Sequence, residues 1–515
     1  MSSNTPPLVL EPRREDHKLV DGSQYLPPPI NRLPPELLAA IFSFLVVDYE
    51  ESLLLRATIP ILLVCRYWRD AALGEPILWR TIYHTPPSLT SLLLQRSKEA
   101  PLRAAFVLDN HDVRDSAHRV MEHFNRVVEF SLIGMSDELD EILENLPEEV
   151  PFLESWNMTK KLNHELPPPS THFYKVRAPR LRRFALRGFT CDWTSSLFSG
   201  LTSLGVFNAM RGTKTSPETI LHILSASPQL TELSLRGVFD ESNIHGISGT
   251  SIEVKLPRLK RLFLGETFPV AGVNQMMMLE RLSFPATVNV VIYCRTMNVQ
   301  DFHRLFKSLG NLTHGSTAIP MKRVDLTLTG HAIRFEGRRV SDTGEPHLYL
   351  SLQCSQPRGS LELARALCGG LSLAGVETLH IPGSILGEAE PATWTHLLRY
   401  FPNVQTFQMG FLPRAIAAVL GYTSEDGRTP AVLSRLHTFE LGSGEHSFKD
   451  EMSLRVFMES LSTRCQIHCP LTRLKIDDVV PSEEPRYARL VDQLVSEFVR
   501  STGPLTVTLE QGIGI

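Results

Sequence analysis

Cys465, His468 and Cys469 stand close together in CQIHC (465–469), and all three side-chain types ligate zinc. A structural zinc takes four ligands, usually with a second pair further along the chain. No second pair lies nearby, and the segment runs straight into the apolar phrase LTRLKI. These three are therefore expected to be packing or loop residues. GSGEHS (442–447) is Gly-rich but lacks the G-x-G-x-x-G spacing that brings backbone amides up to a phosphate, so it is expected to be a turn. G-x-S-x-G, H-E-x-x-H and G-x-x-x-x-G-K-[ST] are all missing, and the 18 His form no catalytic constellation. The sequence predicts no catalytic residue, no metal and no cofactor.

What recurs instead is a phrase of the form L-x-x-L-x-L, with Phe, Val, Ile, Met or Trp standing in for Leu. It runs from VVEFSL (127–132) and LESWNM (153–158) through LRRFAL (181–186), LTSLGV (201–206), LTELSL (230–235), LKRLFL (259–264), LERLSF (279–284) and MKRVDL (321–326). It continues as VETLHI (376–381), VQTFQM (404–409), LHTFEL (436–441) and LTRLKI (471–476). Most spacings fall at or near the ~20–29 residues of a leucine-rich repeat. The longest interval holds HLYLSL (347–352), a candidate extra strand. Helical phrases such as SPETILHILSASPQ and ATWTHLLRYFPN precede several units, and many units begin after Pro, which is expected to end the helix and feed the strand. No single unit can bury its own apolar face, so the predicted body is a solenoid, with strands on a concave side and helices on a convex side.

Within each phrase the x positions should face solvent. From 181 to 326 they include Arg182, Arg183, Lys260, Arg261, Arg281, Lys322 and Arg323, against Glu232, Glu280 and Asp325. A basic concave face of this kind would suit an acidic or phosphorylated partner, because guanidinium binds phosphate through two parallel hydrogen bonds. These seven residues are the candidate substrate-binding set. An ordinary solvated face remains the alternative.

Before the repeats comes LPPELLAAIFSFL (33–45), with Glu36 and Ser43 its only polar residues. Leu33, Leu37, Ile41 and Leu45 share one helical stripe, Leu38 and Phe42 a second, and Ala40, Phe44 and Val47 a third. A helix from Pro35 to about Val47, apolar on all sides, has to be covered on all sides. Fewer than ~60 residues cannot usually do that unaided, so either the repeats or a partner must. A second helical pattern, ILLVCRYWRDAAL (61–73), follows Pro60, and a hook, GEPILWRTIY, closes the segment at Tyr83.

In that order, LPPELLAAIFSFL, LLVCRYWRDAA and PILWRTI resemble the F-box. The matching residues are Leu33, Pro34, Glu36, Leu37, Leu38, Ile41, Phe42 and Leu45, then Val64, Cys65, Arg66 and Trp68, then Leu78 and Trp79. The link between the first two phrases is several residues longer than the family pattern. The resemblance implies a three-helix motif that docks on the adaptor Skp1 and through it joins a cullin–RING ubiquitin ligase. Leu33, Pro34, Leu37, Leu38, Ile41 and Leu45 become candidates for the adaptor contact. Trp68 and Trp79 either close the motif as core aromatics or touch the adaptor. The implied role is the substrate-recognition subunit of an SCF-type ligase, without a catalytic site of its own. The alternative is a repeat scaffold that binds Skp1 or other partners without ubiquitin transfer.

The expected fold class is thus mixed α/β: a disordered Pro-rich lead-in over 1–29, an F-box over 30–83, a linker or first cap over 84–126, and an irregular leucine-rich-repeat solenoid over 127–515. Composition agrees, with 42% apolar and 21% charged residues. A net charge of −4 argues against a nucleic-acid partner. No apolar run reaches the ~20 residues of a spanning helix, so no membrane partner is expected. MSSNTPPLVLEPRREDHK has no apolar signal core, and seven scattered cysteines suit a reducing compartment, cytoplasmic or nuclear.

Overall fold

In a computed structural model, residues 28–47, 54–161, 172–209, 214–240, 252–266, 273–297, 299–313, 320–339, 344–354, 360–382, 390–410, 412–442, 451–467, 469, 471–477, 496 and 506–510 are described. Nearly all of the lead-in expected to be disordered lies outside them. The chain divides into two compact units: residues up to Thr81 with Leu93–Ala100, and Ile82–Leu92 with Pro101 onward.

The first unit is helical. It holds α1 (Pro35–Val47), α2 (Leu54–Val64), α3 (Arg66–Gly74) and a 3-10 turn at Pro76–Trp79. The Pro34 carbonyl opens α1 by accepting from Leu37 and Leu38 N–H, while Pro35 sits where a helix has no use for an amide proton. The second pattern departs from the sequence reading, which started one helix after Pro60. The helix runs through Pro60, giving up one ladder hydrogen bond, and breaks at Cys65 instead. Cys65 is extended, and its sulfur accepts from Trp68 N–H, which caps α3.

The second unit is built on β1 (Thr81–Tyr83), β2 (Leu102–Val107), β3 (Val127–Gly134), β4 (Ser155–Lys160), β5 (Arg183–Arg187), β6 (Ser203–Phe207), β7 (Glu232–Arg236), β8 (Val254–Lys255), β9 (Arg261–Gly265), β10 (Leu282–Ser283), β11 (Asn289–Met297), β12 (Arg323–Leu328), β13 (Ala332–Arg338), β14 (Leu348–Cys354), β15 (Thr378–Ile381), β16 (Thr406–Met409), β17 (Thr438–Leu441), β18 (Arg473–Asp477) and β19 (Thr506–Glu510). Apart from the small β8–β10 pair, these form one sheet of 17 strands. From β2 to β11 neighbouring strands are parallel and in register. One buried row reads Phe130, Trp156, Phe184, Leu204, Leu233, Leu262 and Val290. The next reads Leu132, Met158, Leu186, Val206, Leu235, Leu264 and Ile292. These are the inward positions of the repeated phrase, stacked unit on unit as a solenoid requires.

Two backbone devices explain the phrase. Pro179, Pro228, Pro257 and Pro402 each sit second in a turn that closes onto the next unit's first apolar residue, as in Leu230 N–H to Ser227 O. The carbonyl of the phrase's second residue then accepts two N–H groups from the following unit. Arg182 O takes Thr202 and Ser203, Thr202 O takes Thr231 and Glu232, and Thr231 O takes Lys260 and Arg261. The pattern resumes from Lys322 O to His437 O.

The regular stack changes between 279 and 354. LERLSF is not a sheet strand: it ends the helix Val273–Arg281 and supplies only β10, which pairs with β8. The sheet continues through β11, where Val290, Ile292 and Cys294 alternate inward. HLYLSL becomes β14, parallel to β11; β13 then runs antiparallel to both β14 and β12, and β12 rejoins the parallel series at β15. A hairpin therefore reverses the spatial order of MKRVDL and HLYLSL.

His347 enters β14 at this junction. It is buried, its Nε2 faces Arg339, and its Nδ1 has no partner. Burial first, then the Arg339 charge, push its pKa down from 6.5 to about 4. As pH falls from 6.5 toward 4 the unfolded chain takes up a proton that the folded chain refuses, so stability present above pH 6.5 is lost across that window. The urea midpoint of His347→Gln should therefore fall less between pH 7 and pH 4.5 than that of the wild type. Equal falls would remove His347 from the acid response.

Candidate protein-docking site

The helical unit solves the burial problem in halves. Leu38, Ala39 and Phe42 of α1 face inward, with Ile61, Ala71, Ala72, Leu78 and Trp79 also in the core. The Phe42 and Trp68 rings meet at 5.0 Å, and Trp79 Nε1 donates to Ala72 O at 2.9 Å. Trp68 Nε1 donates to Asn31 Oδ1 at 2.8 Å and Tyr67 Oη to Leu33 O at 2.6 Å, tying α3 to the segment before α1. The other half is open. Leu37 is 52% exposed, Ile41 39%, Phe44 75% and Leu63 71%, and Ile30, Ile59, Val64 and Ile77 are exposed too. Isolated exposed apolar residues need no explanation, but eight from one small helical unit make it the candidate interaction surface.

The structure sorts the predicted contacts. Pro34, Leu37 and Ile41 are exposed and Leu33 is half-buried. Leu38 and Trp79 are interior, which takes them off any docking face, and Trp68 is half-buried with its ring on Phe42. The Leu45 side chain lies outside the described residues. Ile59, Leu63 and Val64 are further exposed apolar residues that the sequence does not single out: a second helix started at 61 leaves Ile59 outside it, and Val64 enters only as a motif letter.

The seven basic candidates do not form an open basic face. Arg183 donates to Glu129 at 3.0 Å and to Ser155 Oγ, and Arg103 reaches the same carboxylate at 3.6 Å. Arg261 Nε donates to Glu232 at 3.1 Å, and Lys322 pairs with Glu377. Arg323 donates to Asp325, which also meets His380 Nδ1 at 2.7 Å and Arg338 at 4.0 Å. Burial would raise the Asp325 carboxyl, but hydrogen bonds from His380 and Arg323 outweigh it and hold its pKa at about 2. Arg182 donates to Gly200 O, and Lys260 is exposed at the strand margin. Arg281 ends a helix and is not on the sheet. The open charge is smaller than expected because four of the seven pair with carboxylates, two of which, Glu129 and Glu377, lie outside the 181–326 window.

Cys465 and Cys469 form no disulfide, His468 lies outside the described residues, and among those residues no cluster of potential metal ligands forms. No helix among them is long and apolar enough to cross a membrane.

Residues 30–85 match the family model described as F-box-like. This segment is an F-box-like domain. No curated protein matches the chain. Among solved structures, the yeast Rad7–Elc1 complex is similar at 12% identity and a TM-score of 0.29, covering 81% of this chain and 90% of that one. The leucine-rich repeat-containing protein LegL7 of Legionella pneumophila is similar at 12% identity and a TM-score of 0.21, covering 82% and 98%. In the F-box-like domain, then, Leu38, Phe42, Trp68 and Trp79 hold the helices together, while Leu37, Ile41, Phe44 and Leu63 are left facing out. After it comes a mixed α/β body on a mostly parallel sheet.

Proposed function

We propose that this chain is the substrate-recognition subunit of an SCF-type ubiquitin ligase. The observation that carries the reading is the open apolar half of the F-box-like domain, a face the domain's own core does not use. A Skp1-like adaptor would cover it and link the chain to a cullin–RING ligase, while the repeat sheet holds the substrate protein. The chain contributes proximity rather than chemistry: a substrate fixed beside the charged conjugating enzyme reacts at a high effective concentration. Such a subunit works in the cytoplasm or nucleus.

Capture of the tagged chain from cells is expected to recover a Skp1-like adaptor together with a cullin. Adaptor without cullin would overturn the ligase role in favour of a scaffold. Recovery of neither would overturn the reading altogether.

A further inference from the structure

Two arginines without a counter-charge stand one place beyond the repeated phrase. Arg187 follows LRRFAL and Arg236 follows LTELSL; both are exposed, and among the described residues neither has an ion pair. Strand register puts them in one row on the open face: Arg187, Phe207, Arg236, Gly265, Tyr293. The Arg187 guanidinium lies over the Phe207 ring at 4.5 Å. From Phe207 an aromatic strip runs across the sheet, with ring centroids 6.4 Å apart to Phe263, then 5.5 Å to Tyr293 and 5.4 Å to Tyr349.

Glycine makes room for the first two rings. A Cβ on Gly205 would come within 3.0 Å of the Phe207 ring, and one on Gly265 within 3.2 Å of the Phe263 ring. Both rings therefore lie back along bare backbone of their own strands. The buried rows on the other face do not need these aromatics, which stay half-exposed. Four residues before Arg187, Phe207, Arg236 and Gly265 on the same strands the chemistry is opposite, because the arginines of the Arg183–Ser203–Glu232–Arg261 row are matched by carboxylates. The open face thus carries a neutralised row beside a strip that is apolar and cationic.

We infer that the strip formed by Arg187, Phe207, Arg236, Phe263, Tyr293 and Tyr349 binds an extended peptide bearing acidic side chains next to apolar or aromatic ones. The inference rests on the reading of the repeat sheet as the part that holds the substrate. The free guanidiniums take carboxylates through paired hydrogen bonds. The rings take apolar side chains at low entropic cost. A single-stranded nucleic acid could also stack on aromatics, but its unbroken line of phosphates needs a continuous basic groove, and the adjoining row is neutralised by Glu129 and Glu232. Localised acidic groups need no such groove.

The test is selection of a random dodecapeptide phage library on the immobilised full-length chain. Synthetic copies of the enriched peptides are then measured by fluorescence anisotropy against wild type, the pair Arg187→Glu with Arg236→Glu, and Phe263→Ala. Oligouridylate is measured in parallel. Enrichment of Asp or Glu beside aromatic or apolar residues is expected. Affinity should fall about tenfold or more in both variants, whose melting should match the wild type's. Enrichment of basic peptides, no enrichment over a bare surface, or unchanged affinity in the variants would overturn the inference. So would oligouridylate binding that the arginine variant abolishes, which would assign the strip to nucleic acid. No adaptor takes part in this assay, so its failure would leave the ligase reading standing, and loss of adaptor capture would leave the peptide result standing.

Discussion

Replacing Leu37 and Ile41 together by Asp is expected to abolish recovery of a Skp1-like adaptor while the repeat sheet melts as before. The two residues are one turn apart on α1, both are substantially exposed, and they flank the interior pair Leu38 and Phe42 without belonging to it. Covering a Leu or Ile fully is worth about 1.5–3 kcal/mol, and the two are already partly covered, so their joint apolar contribution to docking is about 3 kcal/mol. An Asp in a dehydrated contact adds the cost of an unpaired charge. Together these predict a loss of well over about 100-fold in affinity. The cost to the helix itself is smaller, about 1 kcal/mol, from propensity and from two like charges one turn apart. Leu37→Ala with Ile41→Ala separates the two effects, because it removes the contact without adding charge and favours the helix. Wild-type adaptor recovery by both variants would show that docking does not use this face. A companion change, Leu38→Asp, should unfold the helical unit, because Leu38 is fully buried.

Much of this was legible in the sequence, for reasons that also mark the limit. LPPELLAAIFSFL has more apolar surface than a helix of its size can hide, and the structure buries only part of it. Which part was not legible: the stripes at 37–41 and 38–42 are equally apolar, and only the positions of Trp68 and Trp79 decide which one turns inward. The repeats were legible because one apolar period generates every buried row. LERLSF broke that rule. Its spacing fits the period, but Met276, Met278 and Leu279 are buried from a helix, and β11 after Pro285 takes the place in the sheet. The charge of the open face was the least legible. An arginine inside the phrase, such as Arg183, finds its carboxylate two strands away on β3, and that pairing depends on register across units of different lengths. Arg187 and Arg236, one place later, find aromatic rings and glycines beside them.

Replacing Arg464 is expected to be among the most damaging single changes in the repeat body, although nothing in the sequence sets this residue apart. It sits on the helix Glu451–Gln466 and is only 1% exposed. Its Nη2 donates to Leu433 O at 2.8 Å, and its Nη1 reaches Leu420 O and Val432 O at 3.4 and 3.5 Å. Burial pulls its pKa down, but a guanidinium remains charged at any working pH, so the carbonyl dipoles have to solvate it. Leu433 adds a second reason. It is a non-glycine residue at φ 51, a backbone conformation that persists only where its surroundings hold it, and its carbonyl is the best placed of the three acceptors. Arg464→Met keeps most of the length and removes the charge, which relieves the desolvation of the cation. It cannot remove the carbonyls: Leu420 O and Val432 O stay buried and lose the arginine as donor, while Leu433 O keeps Leu436 N–H at 3.1 Å. A buried polar group stripped of its partner costs about 1–3 kcal/mol, so stripping Leu420 O and Val432 O should cost about 2 kcal/mol or more. Arg464→Lys, whose single ammonium cannot fork to all three carbonyls, should fall between. Leu433→Gly relieves the strained backbone and should lessen the cost of Arg464→Met in a double-mutant cycle. Urea midpoints for the four proteins and the wild type check the order. An Arg464→Met midpoint equal to the wild type's would mean that Leu420 O and Val432 O find other donors and that the clamp does not hold the loop.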